Sequence, residues 1–247
     1  MMWLRSLFFL GLLASAGAQA QHWIALFPDA PLPEKFDRVH KVDGAAQVRG
    51  REAAIVAALH RLGFLEASID SSALHGDTLA CTLHLGRAYR WARLSATGVD
   101  RAIASEVRFR EKYFNDQAID PERFARLYEE LLDRCEDNGF PFAAVLLDSL
   151  VDAGDGLHAR LVLEKGRFTR NDSVVVRGTA RVNGRYLQGR IGISPGDPYS
   201  ERLIAGVEQR LREMPFVLVK QRPYVLFTEE QAKLYLFLDN KPASSVN

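Results

Sequence analysis

The chain alternates between two hydrophobic periods. In Leu79-Ala80-Cys81-Thr82-Leu83-His84-Leu85 the odd positions are apolar or cysteine, the period of a half-buried strand. Leu157, Ala159, Leu161 and Leu163 repeat that alternation against His158, Arg160 and Val162. Between these runs the period lengthens: Phe124, Leu127, Tyr128, Leu131 and Leu132 fall on one face of a helix. Leu203, Val207 and Leu211 do the same further on.

Breakers and caps delimit the elements. Asp100 can cap a helix running to about Phe114. Asp120-Pro121-Glu122 is a strong helix start, and Asn138-Gly139 is a left-handed stop. Around them lie predicted strands at Tyr89 to Ala96, Phe142 to Leu150 and Leu157 to Leu163, the last two joined by the turn-rich stretch from Asp152 to Gly156. Further on, a strand is predicted at Asp172 to Arg177, a helix at Asn183 to Ile191 and a second helix capped by Ser200. A hairpin follows, Phe216 to Phe227 with Ala232 to Leu238, turning at Thr228-Glu229-Glu230. Nearer the start, a strand at Trp23 to Phe27, a Pro-rich loop, a helix at Gly50 to Leu62 and a hairpin around His75-Gly76-Asp77 are predicted.

These elements recur. Gly86-Arg87-Ala88-Tyr89 returns 80 residues later as Gly166-Arg167-Phe168-Thr169, and Gly98 returns as Gly178. A second marker, Gly63-Phe64, Gly139-Phe140 and Pro215-Phe216, advances in equal steps of 76. One structural unit is therefore used three times, in the order strand, helix, helix, strand, strand. The expected fold class is α+β, each unit a three-stranded mixed sheet with two helices on one face, because that arrangement buries both apolar stripes. Pro141 and Pro223, read as lying within the second strand, place that strand at the sheet edge.

The first residues stand apart. Arg5 precedes an apolar run from Leu7 to Ala14, and Ala18-Gln19-Ala20 has the form of a signal-peptidase site, so cleavage is expected between Ala20 and Gln21. The run is shorter than the ~20 residues of a spanning helix. The expected domains are then 21–87, 88–166 and 167–241, after a signal peptide at 1–20 and before a tail at 242–247.

Charge changes the picture by exclusion. With 32 Lys plus Arg against 31 Asp plus Glu, nothing marks a nucleic-acid or anionic-lipid partner. Cys81 and Cys135 each point into a core of a different unit and read as buried free thiols; a disulfide would require those two cores to meet. No histidine sits at metal-ligand spacing, and Glu129-Glu130 and Glu229-Glu230 fit a solvated helix face and a turn. No catalytic, cofactor or metal residue is assigned, and neither a cofactor nor a small-molecule substrate is expected.

The element order and the markers Gly63-Phe64, Gly139-Phe140, Pro215-Phe216, Gly86-Arg87 and Gly166-Arg167 resemble POTRA (polypeptide-transport-associated) domains, over nearly the whole chain from Gln21 to Lys241. Three repeats resemble the translocation-and-assembly-module type more than the five-repeat barrel-assembly type. The resemblance implies a periplasmic, non-enzymatic scaffold that receives or positions polypeptides for insertion into, or transport across, the bacterial outer membrane. Its implied partners are unfolded or extended clients, accessory periplasmic proteins and, in the full family member, a C-terminal outer-membrane barrel. The periplasmic arm of a two-partner secretion transporter and a secreted enzyme are the alternatives. An open sheet edge is the feature that could take a client, and Phe216-Val217-Leu218-Val219-Lys220-Gln221-Arg222 is the longest candidate. Lys220, Arg222 and Pro223 look like devices that blunt that edge.

Overall fold

A computed structural model describes residues 22–34, 36–43, 47–229 and 231–241. The expected cleavage site at Ala20 and Gln21 and the tail at 242–247 lie outside the described residues. The chain divides into two compact units, Met1–Ala88 and Tyr89–Asn247.

The first unit contains β1 (His22–Pro28), β2 (Val39–Val42), α1 (Val48–Arg61), β3 (Ser68–His75) and β4 (Thr78–His84), with sheet order β2-β1-β4-β3. Ile24, Leu26, Ile55, Leu59, Cys81 and Leu83 fill its core. The strand β2 is not predicted by the hydrophobic pattern. Val39-His40-Lys41-Val42 has no period of two, and it is held by antiparallel pairing with β1. Among the described residues this unit has a single α-helix.

The second unit holds two repeats. The middle one comprises β5 (Trp91–Gly98), α2 (Arg101–Glu106), α3 (Pro121–Glu136), β6 (Ala144–Asp152) and β7 (Leu157–Glu164), with sheet order β5-β7-β6. The last comprises β8 (Arg170–Arg177), α4 (Gly184–Ile191), α5 (Glu201–Ala205), α6 (Val207–Arg212), β9 (Val217–Phe227) and β10 (Gln231–Asn240), with order β8-β10-β9. All three sheets are mixed: the first strand runs parallel to the last, and the hairpin strands are antiparallel. The α+β class predicted from sequence is the observed one.

The predicted caps form. Asp100 accepts from the backbone N–H of Ala102, Asp120 from those of Glu122 and Arg123, and Ser200 from Leu203, while Asn183, expected only as the start of its helix, also caps it by accepting from Arg185 and Tyr186. Two predicted helices are shorter than their patterns. The helix after Asp100 ends at Glu106 because Arg108 takes a left-handed φ of 55°, so that Phe109 N–H returns to Ala104 C=O and buries its ring. The helix after Ser200 breaks at Gly206, where Arg210 Nη1 donates to the Leu203 carbonyl at 3.1 Å and draws it out of the ladder. Pro141 precedes β6 rather than lying within it, so it is not what marks that strand as an edge; Pro223 does lie within β9.

The 80-residue period is visible in the backbone. Ile119 N–H donates to Tyr89 C=O, as Tyr199 does to Thr169; Trp91 donates to Gln117, as Asn171 does to Asp197; Asp116 donates to Trp91, as Gly196 does to Asn171. Asp116 and Gly196 even share a left-handed conformation. Gly98 and Gly178 recur for packing: a Cβ on Gly98 would lie 2.8 Å from the Leu161 carbonyl, and one on Gly178 would run into the carbonyl of Leu238.

Cys81 and Cys135 are free and buried. Burial pushes the Cys81 thiol up to about 11, aided by its contact with Glu52 at 3.5 Å, and it raises Cys135 as well.

Candidate functional site

The first strand of each repeat is met on its outer side, by a strand in the first unit and by equivalent loops at β5 and at the start of β8. In the first unit β2 pairs with β1. In the middle repeat the loop at Asn115 to Ile119 folds over β5: Trp91 N–H reaches Gln117, Leu94 N–H donates to Asn115 Oδ1 at 2.8 Å, and Ala96 N–H donates to Glu111 Oε1 at 2.8 Å. In the last repeat Gly196, Asp197 and Pro198 lie against Arg170 and Asn171 at the start of β8.

The second strands differ. Among the described residues β3, β6 and β9 each pair on one side only, with β4, β7 and β10. Every register irregularity in the three sheets adds its extra residue to an edge strand and none to a central one. On the open edges these fall between Ile69 and Ser71 in β3, between Asp148 and Val151 in β6, where Ser149 has a φ of 55°, and twice in β9. Such bulges twist an edge away from indiscriminate pairing.

The candidate segment 216–222 can now be placed. Phe216 precedes β9, and its carbonyl accepts from Lys241 N–H at 3.0 Å. Given that bond, antiparallel alternation turns Leu218 N–H toward β10 and leaves Val217 and Val219 facing the open side. The Val217 N–H is used by Met214 C=O, so Val219 offers the first outward N–H. Beyond it the bulges at Lys220 and at Arg222-Pro223 interrupt the edge, and Pro223 has no N–H to offer. The ladder resumes regularly from Tyr224 to Phe227. Uninterrupted five-residue stretches lie instead on β6, Ala144 to Asp148, and on β3, Ser71 to His75. Exposed apolar side chains mark all three edges: Leu74 on β3, Leu146 and Val151 on β6, and Leu218 and Leu226 on β9. Beside β9, a groove of about 470 Å³ is lined by Tyr199, Glu201, Glu208, Arg222, Tyr224 and Phe227.

The marker Gly139-Phe140 meets Phe168 of the handover at a junction in the second unit. Gly63 and Gly139 are left-handed residues just past their helices, with φ of 92° and 91°. Phe64 N–H closes on Leu59 C=O and Phe140 N–H on Cys135 C=O, the same helix stop twice. The second bond of the motif differs. Gly63 donates to His60 within its own helix end, whereas Gly139 donates to Tyr199 C=O of the next repeat at 3.0 Å. Gly139 also has no Cβ to obstruct the Phe168 ring, which packs edge-on against Phe140. Arg167, Lys165 and Arg170 lie over the rings of Phe142, Phe140 and Phe168. Pro215 in the third marker has neither the N–H nor the left-handed conformation. Gly86 is left-handed too, with φ of 66°.

Carboxylates cluster on the same junction. Burial raises the Glu136 carboxyl, with Glu201, Asp133 and Asp137 adding like-charge repulsion. Burial also raises the Tyr199 hydroxyl, which donates to Glu201. Among the described residues no group of three or more His, Cys, Asp and Glu side chains is placed to hold a metal ion, and no helix is long and apolar enough to cross a membrane.

No protein-family model and no curated protein matches the sequence. Solved structures do. A crystal structure of Haemophilus influenzae BamA POTRA3-5 superposes with a TM-score of 0.56 at 15% identity, over 93% of this chain and 100% of that one. The chain has the fold of tandem POTRA domains. POTRA1-3 of the periplasmic domain of Omp85 from Anabaena matches at a TM-score of 0.37 and 11% identity, over 89% of this chain and 94% of that one. CdiB from Acinetobacter baumannii matches at 0.35 and 11%, over 64% of this chain and 30% of that one.

Proposed function

We propose that this chain is a periplasmic, non-enzymatic scaffold of three POTRA repeats, bounded at 21–87, 88–166 and 167–241, that receives or positions extended polypeptides on their way into or across the bacterial outer membrane. The observation that carries the reading is the asymmetry of the edges. The outer side of the first strand is met by β2 on β1, by a loop and side chains along β5, and by a loop at Arg170 and Asn171 on β8, whereas β3, β6 and β9 have a ladder partner on one side only among the described residues. An extended client can add to such an edge through backbone hydrogen bonds, with side chains biasing the choice. The bulges divide each edge into short stretches, which suits transient capture of many sequences better than permanent pairing with one. The client edge on β9 is then Val217 to Val219, flanked by the blunting residues Lys220, Arg222 and Pro223. Under this reading accessory periplasmic proteins and an outer-membrane barrel are the other partners.

The test is site-specific photocrosslinking to an unfolded outer-membrane protein. A crosslinking residue replaces Leu74, Leu146 or Leu218, one exposed side chain per edge. A control replaces Arg126 on the exposed side of α3. Adducts at the edge positions well above the Arg126 background are expected. Adducts no stronger at any edge than at Arg126 would overturn the proposal.

A further inference from the structure

We infer that the second and third repeats form one mechanical body, locked by a closed ring of three backbone hydrogen bonds rather than joined by a flexible handover. The ring runs through Gly139, Thr169 and Tyr199. Thr169 N–H donates to Gly139 C=O at 2.7 Å, Gly139 N–H to Tyr199 C=O at 3.0 Å, and Tyr199 N–H to Thr169 C=O at 3.0 Å. One residue comes from the end of α3, one from the handover and one from the start of α5. Thr169 is fully buried and Tyr199 is 2% exposed.

A ring of this kind does not bend like a linker. Two of the bonds cross between repeats, both at Gly139, and the third holds Thr169 and Tyr199 together within the last repeat. Rotating one repeat against the other would therefore break both Gly139 bonds at once and leave buried N–H and C=O groups without partners. The repeat chemistry is adapted to it. The Gly139 N–H forgoes the bond to its own helix that Gly63 makes, and the missing Cβ admits Phe168 against the glycine. Around the ring, Phe140 packs on Phe168, Phe142 on Phe227, and Phe227 on Tyr199, so apolar contacts cross the junction on β9 as well as at the handover. Asp137 adds a polar crossing, since its carboxylate accepts from Ser200 Oγ and from Arg202 N–H, both at 2.9 Å. The consequence is mechanical. The open edges of β6 and β9 keep a fixed relation, and a pull on one is passed to the other.

Hydrogen exchange on the intact chain tests this. The amides of Gly139, Thr169 and Tyr199 are expected to exchange together, at the slow rate of core-strand amides such as Leu161 and Leu236. Asp137→Ala should speed all three by about tenfold, the scale set by losing a helix cap, and leave Leu59 of the first unit unchanged. Calorimetry supplies the second measurement: residues 89–241 should melt in one transition whose calorimetric and van't Hoff enthalpies agree. Exchange of any of the three amides at loop rates, or separate melting of the second and third repeats in the parent chain, would overturn the inference. Gly139→Val, which drives a Cβ into Phe168, should split the single transition in two. A Gly139→Val chain that still melts in one step at the parental temperature would also overturn it.

Discussion

Asp137 Oδ1 lies 2.9 Å from the backbone nitrogen of Arg202, so a residue that ends one helix caps the start of the next repeat's helix. The same carboxylate contacts the Arg202 side chain at 3.2 Å. At the C-terminal end of α3 a negative charge opposes that helix's own dipole. Its placement is explained by the N-terminus of α5, where negative charge and an acceptor are both favourable. Asp137→Ala is expected to lower the stability of the second unit by about 0.5–2 kcal/mol, the range for a lost cap. Asp137→Asn keeps an acceptor and should lose less. Urea denaturation checks both; an alanine variant as stable as the parent would show that the cap is redundant with Ser200.

Glu136, one residue earlier, gives a pH dependence of known sign. Its folded-state pKa lies above the ordinary value of 4.5, through burial first and then through Glu201, Asp133 and Asp137. The charged form is thus disfavoured in the folded chain. The cost is absent below the ordinary value, grows as pH rises through the raised one, and is complete at neutrality. Glu136→Gln should therefore stabilise the chain at pH 7 and be neutral near pH 4. Glu136 is only partly buried, so solvent screening keeps the effect small. Asp29, Asp100, Asp148 and Asp239 run the other way: hydrogen bonds, led by Leu85, Lys165, Arg160 and Thr179, lower them from 3.8, so their stabilisation is present above that value and lost as pH falls below it. Equal effects of Glu136→Gln at both pH values would show that it acts through packing alone.

What the sequence disclosed and what it concealed divide by range. The caps at Asp100, Asp120 and Ser200 act on backbone N–H groups two or three residues away, so local pattern finds them. The alternation at Leu79 to Leu85 reports one buried face and needs no knowledge of the partner strand. The glycine of Asn138-Gly139 was legible as a helix stop, but its second role was not, because Tyr199 lies 60 residues on. The covering strand β2 has no internal signal and exists through its register with β1. Arg108 in a left-handed conformation and Arg210 drawn into a helix ladder are tertiary effects that helix propensity does not anticipate. At the candidate edge, Lys220, Arg222 and Pro223 were legible as blunting residues, whereas the positions of the bulges required the register with β10.

The thiols supply a third prediction. Cys81 and Cys135 are 0% and 1% exposed and their pKa values are raised, so neither thiolate nor access favours reaction. Titration with a thiol reagent should find both groups slow in the native chain and both reactive after denaturation without reductant. Rapid native reaction at both positions, or no reaction after denaturation, would contradict the burial and the absence of a bridge.

The last prediction separates the backbone of β9 from its side chains. The N–H of Val219 faces the open side, while the inward bonds of this stretch are carried by its neighbours. Val219→Pro thus removes a donor that the sheet itself does not use, and a proline on an edge strand with its missing N–H outward is tolerated. The side chain of Val219 packs against the core of the last repeat, so a loss of about 1–2 kcal/mol from reduced apolar contact is expected alongside. Circular dichroism melting reports that loss, and crosslinking from Leu218 to an unfolded outer-membrane client reports capture. Val219→Ala serves as the control, since it trims the same apolar contact and keeps the N–H. If β9 binds through its backbone, the proline variant should remain folded and lose most of its crosslinking, while the alanine variant keeps its own. A folded proline variant that crosslinks as well as the alanine variant would remove β9 as the client edge and direct attention to the uninterrupted stretches of β6 and β3.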